Sequence, residues 1–232
     1  MPREYDLGER IIVLTRYPEP GKTKTRLIPA LGEEGAAELQ RYMTEDTLAC
    51  VLAAKKDHPL HVEVRYEGGN AELIEQWLGK DVSYCSQGNG DLGQRMARAF
   101  TDAFQSGMTR VVLTGTDCPD MTEDIIRAGL DALYHKDCVI GPSKDGGYYL
   151  IGFRDNTFVT DVFEDMPWGS RTVFKETLQI LEKRCHEVYL LPELNDIDTV
   201  DDIREFMSGV KTNQVSITKT ITFLLQWKWS TK

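Results

Sequence analysis

A short basic segment follows the first apolar run of the chain. Residues 21–26 read GKTKTR, which places three cations and two hydroxyls beside a flexible glycine. Lysine supplies a point charge and arginine a planar fork of donors, and together they suit the phosphates of a polyphosphate. The segment lacks the G-x-x-x-x-G-K-[ST] spacing of a P-loop, so that class of site is excluded. A solvated basic turn is the alternative interpretation.

Aspartates follow two later apolar runs. Asp117 comes directly after RVVLTGT, and Asp196 and Asp198 alternate in the segment NDIDT. A carboxylate at the edge of a sheet can hold Mg²⁺ or Mn²⁺, which complete their shell with phosphate oxygens and water. Residues at i and i+2 of an extended segment point the same way, so the alternating pair could add a second metal contact. Helix capping is the alternative for that pair, whereas it explains Asp117 poorly.

Two glycine-containing loops could complete a ligand site. Residues 143–148 (SKDGGY) lie between two predicted strands, as a plain hairpin turn would. Their glycines could equally let the backbone approach a ligand, with Asp145 accepting a hydrogen bond from a sugar or acceptor hydroxyl. Residues 86–91 (SQGNGD) could hydrogen-bond the edge of a base, or could be a tight loop that ends in a helix N-cap. The spacing alone does not decide between these interpretations.

The elements that would position these loops alternate between strand and helix. Short apolar runs at residues 10–16, 110–116 and 138–141 predict buried strands, and segments with helical spacing separate them. The pattern predicts an α/β fold with a mainly parallel central sheet and helices on both faces. Ligands collect at the carboxyl ends of the strands in such sheets, so the loops after these three strands could share one edge.

The composition is that of an ordinary globular domain. The 232 residues are 41% apolar and 28% charged, which allows one domain with a sizeable core. The net charge of −10 argues against nucleic-acid binding, which needs clustered lysine and arginine. The first apolar run is four residues long and the five cysteines show no metal or redox spacing. We therefore expect no membrane span, and a cytoplasmic protein with reduced thiols.

The last residues differ from the rest of the chain. We predict a single domain over residues 1–208 and a C-terminal tail over residues 209–232. The tail contains VSITKTITFLLQWKW, which alternates like a strand, is rich in aromatics and has no acidic residue. It could form an added edge strand, or mediate a homodimer through that strand, or be disordered.

Six motifs, taken in order, resemble those of a known family. They are PEPG with KTRL, QG-x-GDLG-x-RM, GTDCP, GP with DGGYYL, PWG and DIDT, and they span about residues 10–206. Together they resemble the GT-A-fold transferases of the nucleotide-diphospho-sugar transferase superfamily. More narrowly, the chain resembles the bacterial DUF2064 glycosyltransferase-like family, which is related to the MobA-like and CofC-like nucleotidyltransferases.

The resemblance implies a GT-A fold with the nucleotide at the carboxyl edge of the sheet, and it implies roles for particular residues. The catalytic residues would be Asp117, Asp198, Lys24 and Arg26. The nucleotide would be bound by Thr15, Arg16, Gly21, Lys24, Arg26, Gln87, Gly88, Arg95 and Asp117. The acceptor or sugar would face Asp145, Gly146, Gly147, Tyr148 and Trp168. The metal ligands would be Asp117, Asp196 and Asp198.

The function that we expect is metal-assisted transfer with Mg²⁺ or Mn²⁺, from a nucleotide sugar as donor to an acceptor that the sequence does not reveal. The alternative is a nucleotidyltransferase, which forms an activated compound from an NTP and releases pyrophosphate, because the same fold serves both reactions. A non-catalytic nucleotide-binding protein is a third interpretation, which the unusual tail leaves open.

Overall fold

Seven strands form one sheet in the computed structural model, which describes residues 8–56, 59–212 and 218–227. The strands are β1 (Glu9–Arg16), β2 (Leu60–Glu67), β3 (Ser83–Ser86), β4 (Arg110–Thr114), β5 (Cys138–Pro142), β6 (Tyr148–Arg154) and β7 (Val188–Leu190). Their order across the sheet is β3-β2-β1-β4-β6-β5-β7. Of these seven described strands only β6 runs antiparallel to its neighbours, β4 and β5, so the prediction of a mainly parallel sheet is confirmed.

Helices cover both faces of this sheet, as predicted. They are α1 (Ile28–Ala54), α2 (Ala71–Leu78), α3 (Leu92–Gln105), α4 (Glu123–Ala132), α5 (Val173–Lys183), α6 (Val200–Thr212) and α7 (Lys219–Gln226). Side chains alternate along β1, so Ile11 and Val13 pack with α1 and α4, whereas Ile12 and Leu14 pack with α3 and α5. Within the described ranges no helix is both long and apolar enough to cross a membrane.

The C-terminal tail departs from its prediction. Helix α6 runs through residue 208, so the predicted boundary lies inside a helix. Residues 219–226 form α7, and the edge-strand interpretation is wrong for them. The physical reason is that Thr218 caps a helix and that Ile221 and Leu224, three residues apart, are both buried against the α1 side of the core. Residues 213–217 and 228–232 lie outside the described ranges, and the homodimer stays a prediction.

Candidate nucleotide-binding and transfer site

Four of the five segments singled out in the sequence, all except residues 143–148, meet at the carboxyl edge of the sheet, beside β1, β2 and β4. They surround a cavity of about 450 Å³, here called the basic cavity. This volume lies within the range of about 300–1,000 Å³ that is typical of small-molecule sites. Its charged lining consists of four basic and three acidic residues: Arg16, Lys24, Arg26, Arg95, Glu67, Asp117 and Asp198.

Most of the residues predicted to bind the nucleotide lie around this one cavity. Those that line it are Thr15, Arg16, Lys24, Arg26, Gln87, Arg95 and Asp117. Gly21 and Gly88 do not line it. Both glycines adopt a positive φ, of 78° and 75°, so they serve the turns of their loops. The predicted contact of each lining residue with a nucleotide stays a prediction.

Lys24 lines the basic cavity and contacts both of its aspartates. Its ammonium is 2.6 Å from Asp117 Oδ1 and 2.9 Å from Asp198 Oδ1, and it donates a hydrogen bond to the Ile197 carbonyl at 2.6 Å. Only 5% of the Lys24 side chain is exposed. Its backbone is left-handed (φ 45°), which is uncommon for a residue with a Cβ and is typical of positions under functional constraint.

The charges of the two aspartates determine the ionisation of Lys24. Burial alone would lower the pKa of its ammonium, but the attraction of Asp117 and Asp198 outweighs burial and raises that pKa above its usual value. The same ammonium lowers the pKa of Asp198, with a smaller contribution from Arg26. The Lys24 cation therefore lies between the carboxylates of Asp117 and Asp198, and we call these three groups the charged triad.

The aspartates predicted to bind a metal are not arranged as a preformed metal site. Asp117 and Asp198 share the Lys24 ammonium, so a cation already lies between them. In the part of the chain that the structure describes, no group of three or more His, Cys, Asp or Glu side chains could hold a metal ion. As the side chains stand, a divalent ion does not fit between these two carboxylates, because it would meet the ammonium at contact distance. The assignment of Asp117, Asp196 and Asp198 as metal ligands stays a prediction.

Glu67 is a residue of this site that the sequence reasoning missed. It ends β2, and its carboxylate pairs with Arg16 at 2.7 Å and with Arg95 at 2.9 Å. The parallel register of β1 and β2 places Arg16 directly opposite Glu67. Glu67 therefore holds two of the four basic side chains of the cavity. The pairing register of the two strands would have revealed it, and a single sequence does not show that register.

Gln87 lines the cavity but is already hydrogen-bonded. Its Nε2 donates to the Thr15 carbonyl at 2.9 Å and to the Arg65 carbonyl at 3.2 Å, and the residue is 6% exposed. Both amide protons are thus engaged by the ends of β1 and β2, and Gln87 positions the loop rather than offering free donors to a base. The same loop ends in a capping box at Asp91, which confirms the N-cap interpretation of residues 86–91.

A second cavity of about 280 Å³ adjoins the basic cavity and shares Asp117 and Asp198 with it. We call it the aromatic cavity, because Tyr148, Tyr149 and Trp168 line it. The rings of Tyr148 and Trp168 meet edge to face, with their centroids 6.4 Å apart.

The residues predicted to face the acceptor lie at the aromatic cavity, with one exception. Those that line it are Asp145, Gly147, Tyr148 and Trp168. Gly146 does not line it. Its φ is 93°, and a Cβ there would lie 2.3 Å from the Arg171 carbonyl oxygen, so packing against the chain before α5 requires glycine at this position. The loop also joins the antiparallel strands β5 and β6, as the hairpin interpretation predicted.

Two carboxylates of the aromatic cavity have distinct surroundings. Asp145 Oδ1 accepts hydrogen bonds from Ser143 Oγ at 2.5 Å and from the Gly147 N–H at 2.8 Å. Asp196 is half-buried, and burial, followed by the charge of Asp145, raises its pKa to about 6. A carboxyl group with a raised pKa in a cleft is a common feature of functional sites.

A family model described as an uncharacterized protein conserved in bacteria (DUF2064) matches residues 48–170. The matched segment is 123 of the 232 residues, which is more than half of the chain. The chain belongs to the DUF2064 family. A comparison of this DUF2064 protein with functionally curated proteins finds no match.

The DUF2064 protein shares its fold with several solved structures. A candidate nucleotide-diphospho-sugar transferase from Desulfovibrio desulfuricans is 36% identical, with a TM-score of 0.86 over 94% of each chain. A nucleotidyl transferase from Methanothermobacter is 18% identical, with a TM-score of 0.59 over 89% of this chain and 99% of the other. Rv0371c from Mycobacterium tuberculosis, solved in complex with manganese, is 17% identical, with a TM-score of 0.50 over 87% and 98%. The last two similarities show the fold alone.

Proposed function

We propose that this DUF2064 protein is a transferase that binds a nucleotide sugar in the basic cavity and transfers its sugar to an acceptor in the aromatic cavity. The observation that carries the proposal is the charged lining of the basic cavity, in which four basic side chains outnumber three acidic ones although the net charge of the chain is −10. Such a local concentration of cations suits the phosphates of a small anion. This lining lies at the carboxyl edge of a mainly parallel sheet, where ligands collect in such folds.

Lys24 and Arg26 are the residues proposed to act on the leaving phosphates. The Lys24 ammonium is charged and buried, and three acceptors hold it. A cation fixed in this way can offset charge that develops on the leaving oxygens without reorganising during the reaction. Arg26 is 74% exposed beside Asp198, so it can turn toward an incoming phosphate. Asp145, held by Ser143 and Gly147, is proposed to accept a hydrogen bond from the acceptor hydroxyl.

Mg²⁺ or Mn²⁺ enters the proposal only as an ion that arrives with the nucleotide. These ions commonly take one or two carboxylates together with phosphate oxygens, and they supply positive charge to the phosphates when bound. Asp117 is 50% exposed and is the carboxylate of the triad most accessible to such a complex. The manganese complex of Rv0371c, a relative in fold, supports testing both ions. The described residues form no preformed ion site, so the proposed roles on the phosphates rest on Lys24 and Arg26.

The same two cavities would also serve a nucleotidyltransferase acting on an NTP. The Methanothermobacter protein, which has the same fold, is a nucleotidyl transferase, and this similarity supports the alternative. The products separate the two reactions, because sugar transfer releases a nucleoside diphosphate whereas nucleotidyl transfer releases pyrophosphate. Binding without either product would favour the non-catalytic interpretation.

The first experiment is a thermal-shift screen with NTPs and nucleotide sugars, with and without Mn²⁺, followed by product analysis for each ligand that binds. A ligand at one hundred times its dissociation constant stabilises the folded state by about 2.7 kcal/mol, which such a screen detects. A shift with a nucleotide sugar, followed by release of nucleoside diphosphate, is the expected result. The absence of a shift with every nucleotide would refute the site.

Two variants on one loop make this screen specific. Arg26→Gln removes a charged donor of the basic cavity, and charge-assisted hydrogen bonds contribute about 1.5–3 kcal/mol, so we expect nucleotide affinity to fall by about tenfold or more. Lys22→Gln is the matched control, because Lys22 is 69% exposed, pairs with Glu19 and does not line the cavity. Equal effects of the two substitutions would count against phosphate binding at Arg26.

A further inference from the structure

The aromatic cavity differs in charge from the basic cavity that it adjoins. Four carboxylates line it, and no lysine, arginine or histidine of the described chain does. Two of the carboxylates, Asp117 and Asp198, are paired with Lys24, and Asp198 is also paired with Arg26. The other two, Asp145 and Asp196, have no cationic partner among the described residues. A ligand in this cavity therefore meets unpaired negative charge.

The wall of the aromatic cavity is apolar and closely packed. Besides the aromatic rings, its lining includes Leu92, Met96 and Val173. The Trp168 indole packs on Gly93 so tightly that a Cβ at that glycine would lie 2.8 Å from the indole Nε1. This packing holds the indole in place at the cavity wall. A flat apolar wall combined with carboxylate acceptors suits a ring that has one apolar face and carries hydroxyl or amino groups.

A third cavity, which we call the outer cavity, has more acidic than basic residues in its lining, so it does not offset the charge of a negatively charged ligand. It has a volume of about 390 Å³ and shares Asp145, Asp196 and Asp198 with the aromatic cavity. Its charged lining has three basic and five acidic members: Arg26, Lys144, Arg171, Asp145, Asp196, Asp198, Asp202 and Glu205. Lys144 is already paired with Glu205 at 2.7 Å. A ligand that extended from the aromatic cavity in this direction would again meet an excess of carboxylates.

We infer that the aromatic cavity takes a small neutral or cationic hydroxyl compound with an apolar face, such as an unphosphorylated sugar or an amino sugar, and excludes phosphorylated ones. Like charges brought together in a binding site cost several kcal/mol and reject the wrong partner. The volume of about 280 Å³ suits a bound group of about the size of a monosaccharide. Calling this compound the acceptor rests on the proposed function, whereas its chemical class rests on the cavity alone.

The test uses saturation-transfer NMR on the full chain, with monosaccharides and amino sugars that are each paired with their own phosphate ester. We expect neutral or cationic members to bind and their phosphate esters to bind at least about tenfold more weakly. Trp168→Ala should remove the binding, and Trp168→Phe, which keeps an aromatic ring, should retain part of it. Esters that bind as tightly as their parents, or a panel in which no neutral or cationic member binds, would overturn the inference.

A charge variant identifies the origin of the preference. The double variant Asp145→Asn with Asp196→Asn removes both unpaired charges. In this variant the affinity of each sugar should exceed that of its phosphate ester by only about threefold or less. Asp201→Asn is the matched control, because Asp201 is 87% exposed and does not line the aromatic cavity. If the double variant keeps the wild-type difference in affinity between sugars and their phosphate esters, the preference does not arise from these charges.

Failure of this inference can be told apart from failure of the proposed function. The sugar panel needs no nucleotide, and the nucleotide screen needs no sugar. If nucleotides do not bind but neutral sugars bind in a Trp168-dependent manner, the proposed function fails and the class of ligand stands. If nucleotides bind and phosphate esters bind as tightly as their parents, only the class of ligand fails.

Discussion

Removing the Lys24 ammonium should leave Asp117 and Asp198 facing each other without a cation. Lys24→Met keeps an unbranched apolar side chain and deletes the charge that both carboxylates contact. Breaking a buried ion pair by deleting one partner costs about 3–5 kcal/mol. The two carboxylates here are 50% and 41% exposed, and solvent screens them, so we expect a loss of about 1–3 kcal/mol in the free energy of unfolding.

The loss should depend on pH with a definite sign. Lys24 is the main cause of the lowered pKa of Asp198 in the folded protein. A carboxyl group with a lowered folded pKa stabilises the fold above its unfolded pKa of about 3.9, and this stabilisation disappears as the pH falls through the folded pKa. The difference between Lys24→Met and the wild type should therefore be largest near pH 7 and shrink below about pH 4. Urea unfolding at several pH values measures it.

The same substitution should open a cation site. With the ammonium gone, Mn²⁺ can bind between Asp117 and Asp198. At one hundred times its dissociation constant, Mn²⁺ would raise the free energy of unfolding of the variant by about 2.7 kcal/mol. Isothermal titration with Mn²⁺ should show binding to Lys24→Met and weaker binding, or none, to the wild type. Lys22→Met on the same loop is the control, since Lys22 contacts neither aspartate. If Lys24→Met is as stable as the wild type at pH 7 and binds Mn²⁺ no more tightly, then the Lys24 ammonium does not pair with Asp117 and Asp198 as described.

Three further substitutions test other parts of the structure by chemical denaturation. Burial and the charge of Asp145 raise the pKa of Asp196 to about 6, so ionisation of this carboxyl group opposes folding above about pH 4. Asp196→Asn removes the ionisable group. It should therefore stabilise the fold by about 1–2 kcal/mol at pH 7.5 and by almost nothing at pH 4. Leu224→Ala should cost about 2–5 kcal/mol if α7 packs into the core, since Leu224 is 1% exposed, whereas an undocked tail predicts no change. Gly93→Ala should cost about 1–3 kcal/mol and alter tryptophan fluorescence, because its Cβ would lie 2.1 Å from the Phe163 carbonyl.

The sheet could be predicted from sequence because its pattern is local. The continuous apolar run of β1 requires burial on both faces, and Ile11 and Ile12 indeed pack with helices on opposite sides. The tail could not be predicted in the same way, since residues 218–224 fit both a period of two and a helical repeat. A distant partner decides between them: the Asp46 carboxylate on α1 accepts from the N–H groups of Lys219 and Thr220, at the start of α7.

At the candidate site, too, the sequence predicted which residues meet but not how their side chains are arranged. The loops that hold Lys24 and Asp117 follow two predicted strands, which predicted that the two residues could share one edge of the sheet, and both line the basic cavity together with Asp198. Their spacing could not reveal whether the two aspartates surround a metal or an ammonium. That choice depends on the left-handed backbone of Lys24 and on the Ile197 carbonyl, which direct the side chain into the gap between the carboxylates. Because the cation is covalently part of the chain, its charge is present before any nucleotide binds, and a free metal ion must compete with it rather than fill a vacancy.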